Sequence, residues 1–183
     1  MIHSQDRSGY FGASDTAKIM GSWNTKTFQK FWMEKLGLYR NEFCSIEMRA
    51  GTEYEHRILE KIGIRQMDRQ IVLENFKLRV NLDGEDEHTV YEVKTHKSPE
   101  FKISSQYKQQ AQVEMFAADK QLRIVAYRMT PEEYMNFFRE IDSKRITYHP
   151  VERDEAFIQR YLKRLQYLRD CLIAGRFPRE EAI

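Results

Sequence analysis

Cysteine is scarce in this chain: Cys44 and Cys171 are the only two in 183 residues. With no C-x-x-C pair they offer no disulfide framework, and they read as free thiols in a reducing cytoplasm. An iron–sulfur cluster needs about four thiolates and is excluded. There is no H-E-x-x-H motif and no His/Cys cluster, which argues against zinc. No G-x-x-x-x-G-K-[ST] loop is present, so nucleotide triphosphate use is not expected. Ser14 has no G-x-S-x-G context and is no hydrolase nucleophile. Apolar runs stay well short of the roughly 20 residues that cross a bilayer, and "MIHSQDRSGYFGAS" lacks the apolar stretch of a signal peptide. A large charge of one sign is also missing, because 30 Lys and Arg stand against 28 Asp and Glu, a net charge of +2. A protein that coats nucleic acid without specificity carries a basic surplus. Near-neutrality still leaves room for a DNA enzyme, with acids gathered at a metal and basic residues along the approach.

What remains is 41% hydrophobic and 32% charged, which fits a globular chain with a core and a wet surface. Length and the absence of linkers or repeats predict one domain over 1–183, with a core of about 7–149 and a C-terminal amphipathic helix over about 154–174. Helices are predicted over 12–21, 25–37 and 45–62 from cap signals and apolar spacing. Strands are predicted over 69–74, 76–83 and 89–95, followed by a helix over 104–120, a strand over 122–129 and a helix over 130–141. "KRITYHP" suits a short edge strand, and Phe157, Tyr161, Leu165, Leu168 and Leu172 form the apolar stripe of the last helix. The fold class is therefore α/β, with a central mixed β-sheet flanked by helices.

"NLDGEDEHTVYEVKTHKS", residues 81–98, places charge where a core strand is expected. Alternation puts Val90, Glu92 and Lys94 on one face and Tyr91, Val93 and Thr95 on the other. Asp83 ends the preceding strand, and the hairpin brings it toward Glu92. Two hard oxygen ligands with a cation beyond them suit Mg2+ or Mn2+. A cation held by Asp83, Glu92 and the carbonyl of Val93 could activate water for phosphodiester hydrolysis, with Lys94 beside it. The plain alternative is an Asp83–Gly84 turn and a surface ion pair worth at most about 1 kcal/mol.

Order and company favour the metal. The segments "RSGYFGASDTAKIMG", "GTEYE", "DG", "EVK" and "YKQQAQ" follow one another between Arg7 and about Met129, and this series resembles the phage lambda exonuclease group. That group, also called YqaJ-like viral recombinase nucleases, lies within the PD-(D/E)xK nuclease superfamily. Leu82 stands where the superfamily name has proline. The resemblance implies a restriction-endonuclease-like core. It implies that Asp83 and Glu92 are metal ligands, that Lys94 positions or activates the nucleophile, and that Glu55 assists metal binding. Gln110 would contact the active-site water or the substrate backbone, and Arg7 and Ser14 would hold the 5′-phosphate of a DNA end. The implied activity is a Mg2+-dependent exonuclease, with Mn2+ as a substitute, that resects linear duplex DNA 5′ to 3′ and leaves 3′ overhangs for recombination. Its implied partners are double-stranded DNA ends, a single-strand annealing protein and further copies of itself, with no membrane. Two other readings stay open: an endonuclease of the same superfamily, and a non-catalytic DNA-binding module of this fold.

The remaining polar residues have ordinary readings. Glu53 is a solvated helix charge, and His56, His88 and His96 are surface, core-edge or loop histidines before they are ligands. Arg160, Lys163, Arg164 and Arg169 form a solvated face of the last helix. Trp23 and Trp32 belong to the core.

Overall fold

The computed structural model describes residues 8–40 and 45–179. Arg7 and Cys44 lie outside the described residues. A turn at Ala13–Asp15 leads into α1 (Thr16–Met20), and α2 (Lys26–Lys35) and α3 (Ile46–Lys61) follow. Then come β1 (Gln66–Leu73), β2 (Leu78–Glu85), β3 (Thr89–His96), α4 (Ser105–Ala118), β4 (Gln121–Arg128), α5 (Pro131–Met135), β5 (Ile146–Val151) and α6 (Glu155–Ile173). Side-chain caps start the longer helices: Thr25, Ser45, Ser104 and Asp154 each accept a backbone N–H from the first turn.

The five strands form one mixed sheet in the order β1-β2-β3-β4-β5. Only β3 and β4 run parallel, and α4 makes their crossover. One apolar cluster packs Leu78, Val80, Val90, Leu122 and Ile124 against α1, α2, α4 and α6. The other packs Val93, Val125 and Tyr127 against Ala50, Tyr54, Ile58 and Leu59 of α3. The architecture is the α/β, restriction-endonuclease-like one expected, with helices over both faces of the sheet. No helix among the described residues is long and apolar enough to cross a membrane.

Four local expectations need correction. β2 runs on to Glu85, so Asp83–Gly84 is strand and not turn. A side chain at Gly84 would meet Leu59 Cδ2 at 2.7 Å and Ile64 Cγ2 at 3.0 Å, so the glycine serves close packing of α3 over the sheet. The helix expected over 130–141 stops at Met135: Asn136 is extended, with φ −144° and ψ 102°, and beyond it the Arg57 guanidinium holds the carbonyl oxygens of Phe137 and Arg139. On α6 the fully buried residues are Ile158, Tyr161, Leu165, Leu168 and Cys171, so the stripe sits slightly round from the predicted one, with Phe157 and Leu172 at its margin. The basic face of α6 is only partly solvated: Arg164 donates to the carbonyls of Ile19 and Gly21 and lies over Trp23, and Arg169 donates to the carbonyl of Asn75. Trp23 and Trp32 are core residues.

Candidate active site

β2 and β3 pair at only two positions, Gly84 with Tyr91 and Glu85 with Val90, and then part. Asp83 and Glu92 are the next residues along, so they flank the point of parting. Leu82 lies on the Val90 side of the sheet and Gly84 on the α3 side, so the two-residue alternation of β2 is broken between them, at Asp83. Asp83 reaches the gap between the strands, where its Oδ2 accepts the backbone N–H of Val93 at 2.8 Å. This carboxylate stands in for the ladder hydrogen bond that the parted strands no longer make.

Glu92 is buried at 4% exposure and faces α4. Its Oε1 accepts from Lys94 Nζ at 2.5 Å and from Gln110 Nε2 at 2.7 Å, while its Oε2 is buried with no hydrogen-bond partner among the described residues. The Lys94 ammonium also lies 4.9 Å from the centre of the Tyr107 ring. Burial works against the charge on Lys94, but Glu92 and Asp83 outweigh it and raise its pKa. The structure thus brings Asp83, Glu92, Lys94 and Gln110 together. Glu55 joins them electrostatically from α3. Burial first, and then the Glu92 charge, push the Glu55 carboxyl up to about 7. Burial, Glu92 and Glu55, in that order, raise Asp83 well above the carboxylate range. An isolated group of acids this crowded favours either protons or a cation.

Glu114 belongs to the same cluster and was not singled out in the sequence. It is wholly buried on α4, and burial, followed by the Glu92 charge, raises its carboxyl well above the usual range. The i, i+4 spacing from Gln110 in "QQAQVE" is the signal that could have found it. Gln112 points elsewhere. It donates to the Glu152 carbonyl at 2.8 Å and accepts from the Asp154 N–H at 2.7 Å, which ties α4 to the start of α6.

His56, partly exposed on α3, belongs to a further cluster. Its Nε2 lies 2.9 Å from Asp68 Oδ2, and one ligand atom each from Glu55, His56 and Asp68 lie within 4.8 Å of one another. Asp68 interrupts the pairing of β1 with β2 in a left-handed conformation, φ 56°. Glu53 is exposed, as expected, and His88 is an exposed loop residue. His96 ends β3 against Phe101 and contacts none of the acids named above. Of the two residues assigned to the 5′-phosphate, Ser14 is exposed in the first turn, close in sequence to Phe11, which pairs with Leu78 of β2. Arg7, its expected companion, is outside the described residues.

Whether these residues suit a divalent cation can be judged from the donor set. Glu55, Asp83 and Glu114, carboxyls with raised pKa values, surround buried Glu92 electrostatically where the strands part, while the three ligand atoms within 4.8 Å of one another among the described residues belong to Glu55, His56 and Asp68. The carboxyls are hard oxygen donors, which match Mg2+ or Mn2+ better than a thiophilic metal. The residues fit.

No family model and no curated protein matches the chain. Solved structures do. The complex of LHK-Exo with dAMP aligns over 92% of this chain and 90% of its own, with a TM-score of 0.69 at 19% identity. A second structure of LHK-Exo, an alkaline exonuclease from Laribacter hongkongensis, aligns over the same shares at a TM-score of 0.67 and 19% identity. A phage-related exonuclease from Haemophilus somnus 129PT aligns over 91% of this chain and 96% of its own, with a TM-score of 0.63 at 15% identity. Likeness at such identities speaks to the fold alone. The chain has the restriction-endonuclease-like fold that these exonucleases share, in keeping with the group its ordered motifs resemble.

Proposed function

We infer that the protein is a divalent-metal-dependent deoxyribonuclease, an exonuclease that resects linear duplex DNA from 5′ ends and leaves 3′ overhangs. The observation that carries this reading is the meeting of Asp83, Glu92 and Lys94 at the parting of β2 and β3, with Gln110 and Glu55 closing round them. Asp83, Glu92 and the Val93 carbonyl would hold Mg2+, with Glu55 assisting, and Mn2+ would substitute. A cation in that place supplies a bound water of lowered pKa and offsets charge on the phosphate.

The chain's own groups account for the rest. Glu92 orients Lys94, whose ammonium stays charged and is placed to meet a phosphate oxygen or the attacking water. Asp83 fixes the backbone of Val93 through its N–H and so holds the Val93 peptide in register with the site. Ser14, with Arg7, would receive the 5′-phosphate of the DNA end. Duplex ends and a single-strand annealing protein are the proposed partners, and self-association is proposed for holding the duplex.

The test is to incubate the protein with 5′-phosphorylated linear duplex and Mg2+, with each strand end labelled in turn. EDTA, closed circular DNA and 5′-hydroxyl ends serve as controls. Loss of the 5′ label as mononucleotides, abolished by EDTA and slower on 5′-hydroxyl ends, supports the reading. Cutting of the circle would make the protein an endonuclease. Salt-dependent binding with no metal-dependent cutting would make it a binding module.

A further inference from the structure

Gln110 and Glu114 stand one turn apart on the side of α4 that faces Glu92. The side-chain nitrogen of Gln110 lies 2.7 Å from Glu92 Oε1 and 2.7 Å from Glu114 Oε1. Glu92, ion-paired with Lys94, accepts, so the amide turns its nitrogen to it and to Glu114, since the opposite orientation would set a carbonyl oxygen against the Glu92 carboxylate. An amide nitrogen carries two hydrogens, and these two contacts use them. What Gln110 can offer to a molecule bound beside Glu92 and Lys94 is its carbonyl oxygen, a pure acceptor.

That polarity has a chemical consequence. Phosphate oxygens are themselves acceptors and negatively charged, so a carbonyl oxygen gains nothing from meeting one. A water molecule can donate to it. Of the two contacts that the resemblance implies for Gln110, only the one to water agrees with the amide's orientation. With Glu92 alone the carboxamide would pivot about a single hydrogen bond, and Glu114 supplies the second restraint. A wholly buried carboxyl on α4 is a costly choice for mere filling, which methionine would do without burying a polar group.

We propose that Glu114 is a positioning residue, which holds the second amide hydrogen of Gln110 so that the Gln110 carbonyl oxygen receives and orients the attacking water. The proposal rests on the reading of Asp83, Glu92 and Lys94 as the reaction centre.

The test compares Glu114→Met, Glu114→Gln, Gln110→Ala and the double variant Gln110→Ala/Glu114→Met. Turnover is measured on linear duplex with Mg2+, and the side-chain amide protons of Gln110 are followed by NMR in the metal-free protein. Glu114→Met should lower kcat by roughly 10–100-fold at near-constant KM, as loss of an outer supporting contact commonly does. Glu114→Gln, which keeps an acceptor oxygen, should recover most of that loss. Glu114→Met should add no further loss in the Gln110→Ala background, because a residue acting through another is not additive with it. In the wild type both amide protons should be shifted and slow to exchange, and Glu114→Met should free one of them. If methionine at this position unfolds the chain, Glu114→Asp, whose shorter side chain withdraws the acceptor, carries the same expectations. Additive losses, an unchanged kcat in folded Glu114→Met, or an unchanged amide spectrum would each overturn the positioning role. A wild type that does not cut DNA would instead overturn the reaction reading, and with it the role of the water.

Discussion

Replacing Asp83 by asparagine should abolish turnover and yet raise the stability of the metal-free protein at pH 8. Burial and the charges of Glu92 and Glu55 raise the Asp83 carboxyl well above its usual range. Such a carboxyl keeps its proton longer in the folded chain than in the unfolded one. Stability is then whole below the unfolded midpoint, about pH 4, and is lost as pH rises through the raised folded midpoint. Asparagine carries no charge to repel Glu92, and its side-chain oxygen can still accept the Val93 N–H that Asp83 accepts at 2.8 Å. Each pH unit by which the midpoint rises is worth about 1.4 kcal/mol. In a chain of 183 residues each such step would move the melting temperature by about 3–6 °C. Thermal melts in EDTA from pH 8 down to about pH 3.5 provide the assay. Asp83→Asn should melt higher at pH 8, with the gain shrinking as pH falls and tending to zero only below about pH 4. A lower melting temperature at pH 8, or a gain undiminished at about pH 3.5, would refute the reasoning.

Mg2+ should raise the melting temperature more at pH 8 than at pH 6, because Glu55, with its midpoint near 7, must lose its proton before it can serve a cation; an equal rise at both would remove Glu55 from the site. Gly84→Ala should cost about 1–3 kcal/mol in denaturant melts, since its methyl group would press on Leu59 and Ile64, both buried. Gln112→Leu should destabilise by about 1–3 kcal/mol through the lost bonds to Glu152 and Asp154 while the folded fraction keeps its kcat. Gln110→Ala should do the reverse, and paired melts and rates on the two variants would show the division.

Much of this architecture is legible from local pattern. The two-residue period alone puts Glu92 and Lys94 side by side, and they form an ion pair in the structure. Cap residues mark the starts of α2, α3, α4 and α6 within a residue or so. The misses have long-range causes. Asp-Gly at 83–84 carries a turn signal, and only the presence of Leu59 and Ile64 above the sheet makes it strand. Past the end of α5 the chain is held by Arg57, from a position about eighty residues earlier. Glu114 is hidden because helical periodicity marks the apolar side of α4, whereas its chemistry lies on a polar one. The proximity of His56 to Asp68 depends on the left-handed backbone at Asp68, which no local rule for a strand foretells.

The parting of β2 from β3 makes a seam down the middle of the sheet. On one bank lies the β1–β2 ribbon, and on the other the slab of β3, β4 and β5, with Gly84–Tyr91 and Glu85–Val90 as the stitches. Asp83 and Glu92 occupy opposite banks. Any ligand that draws these two carboxylates together therefore tugs the ribbon toward the slab, and occupancy becomes a change in the width of the seam. A pair of spin labels at Asn81 and Thr95, one on each bank, would turn that width into a distance.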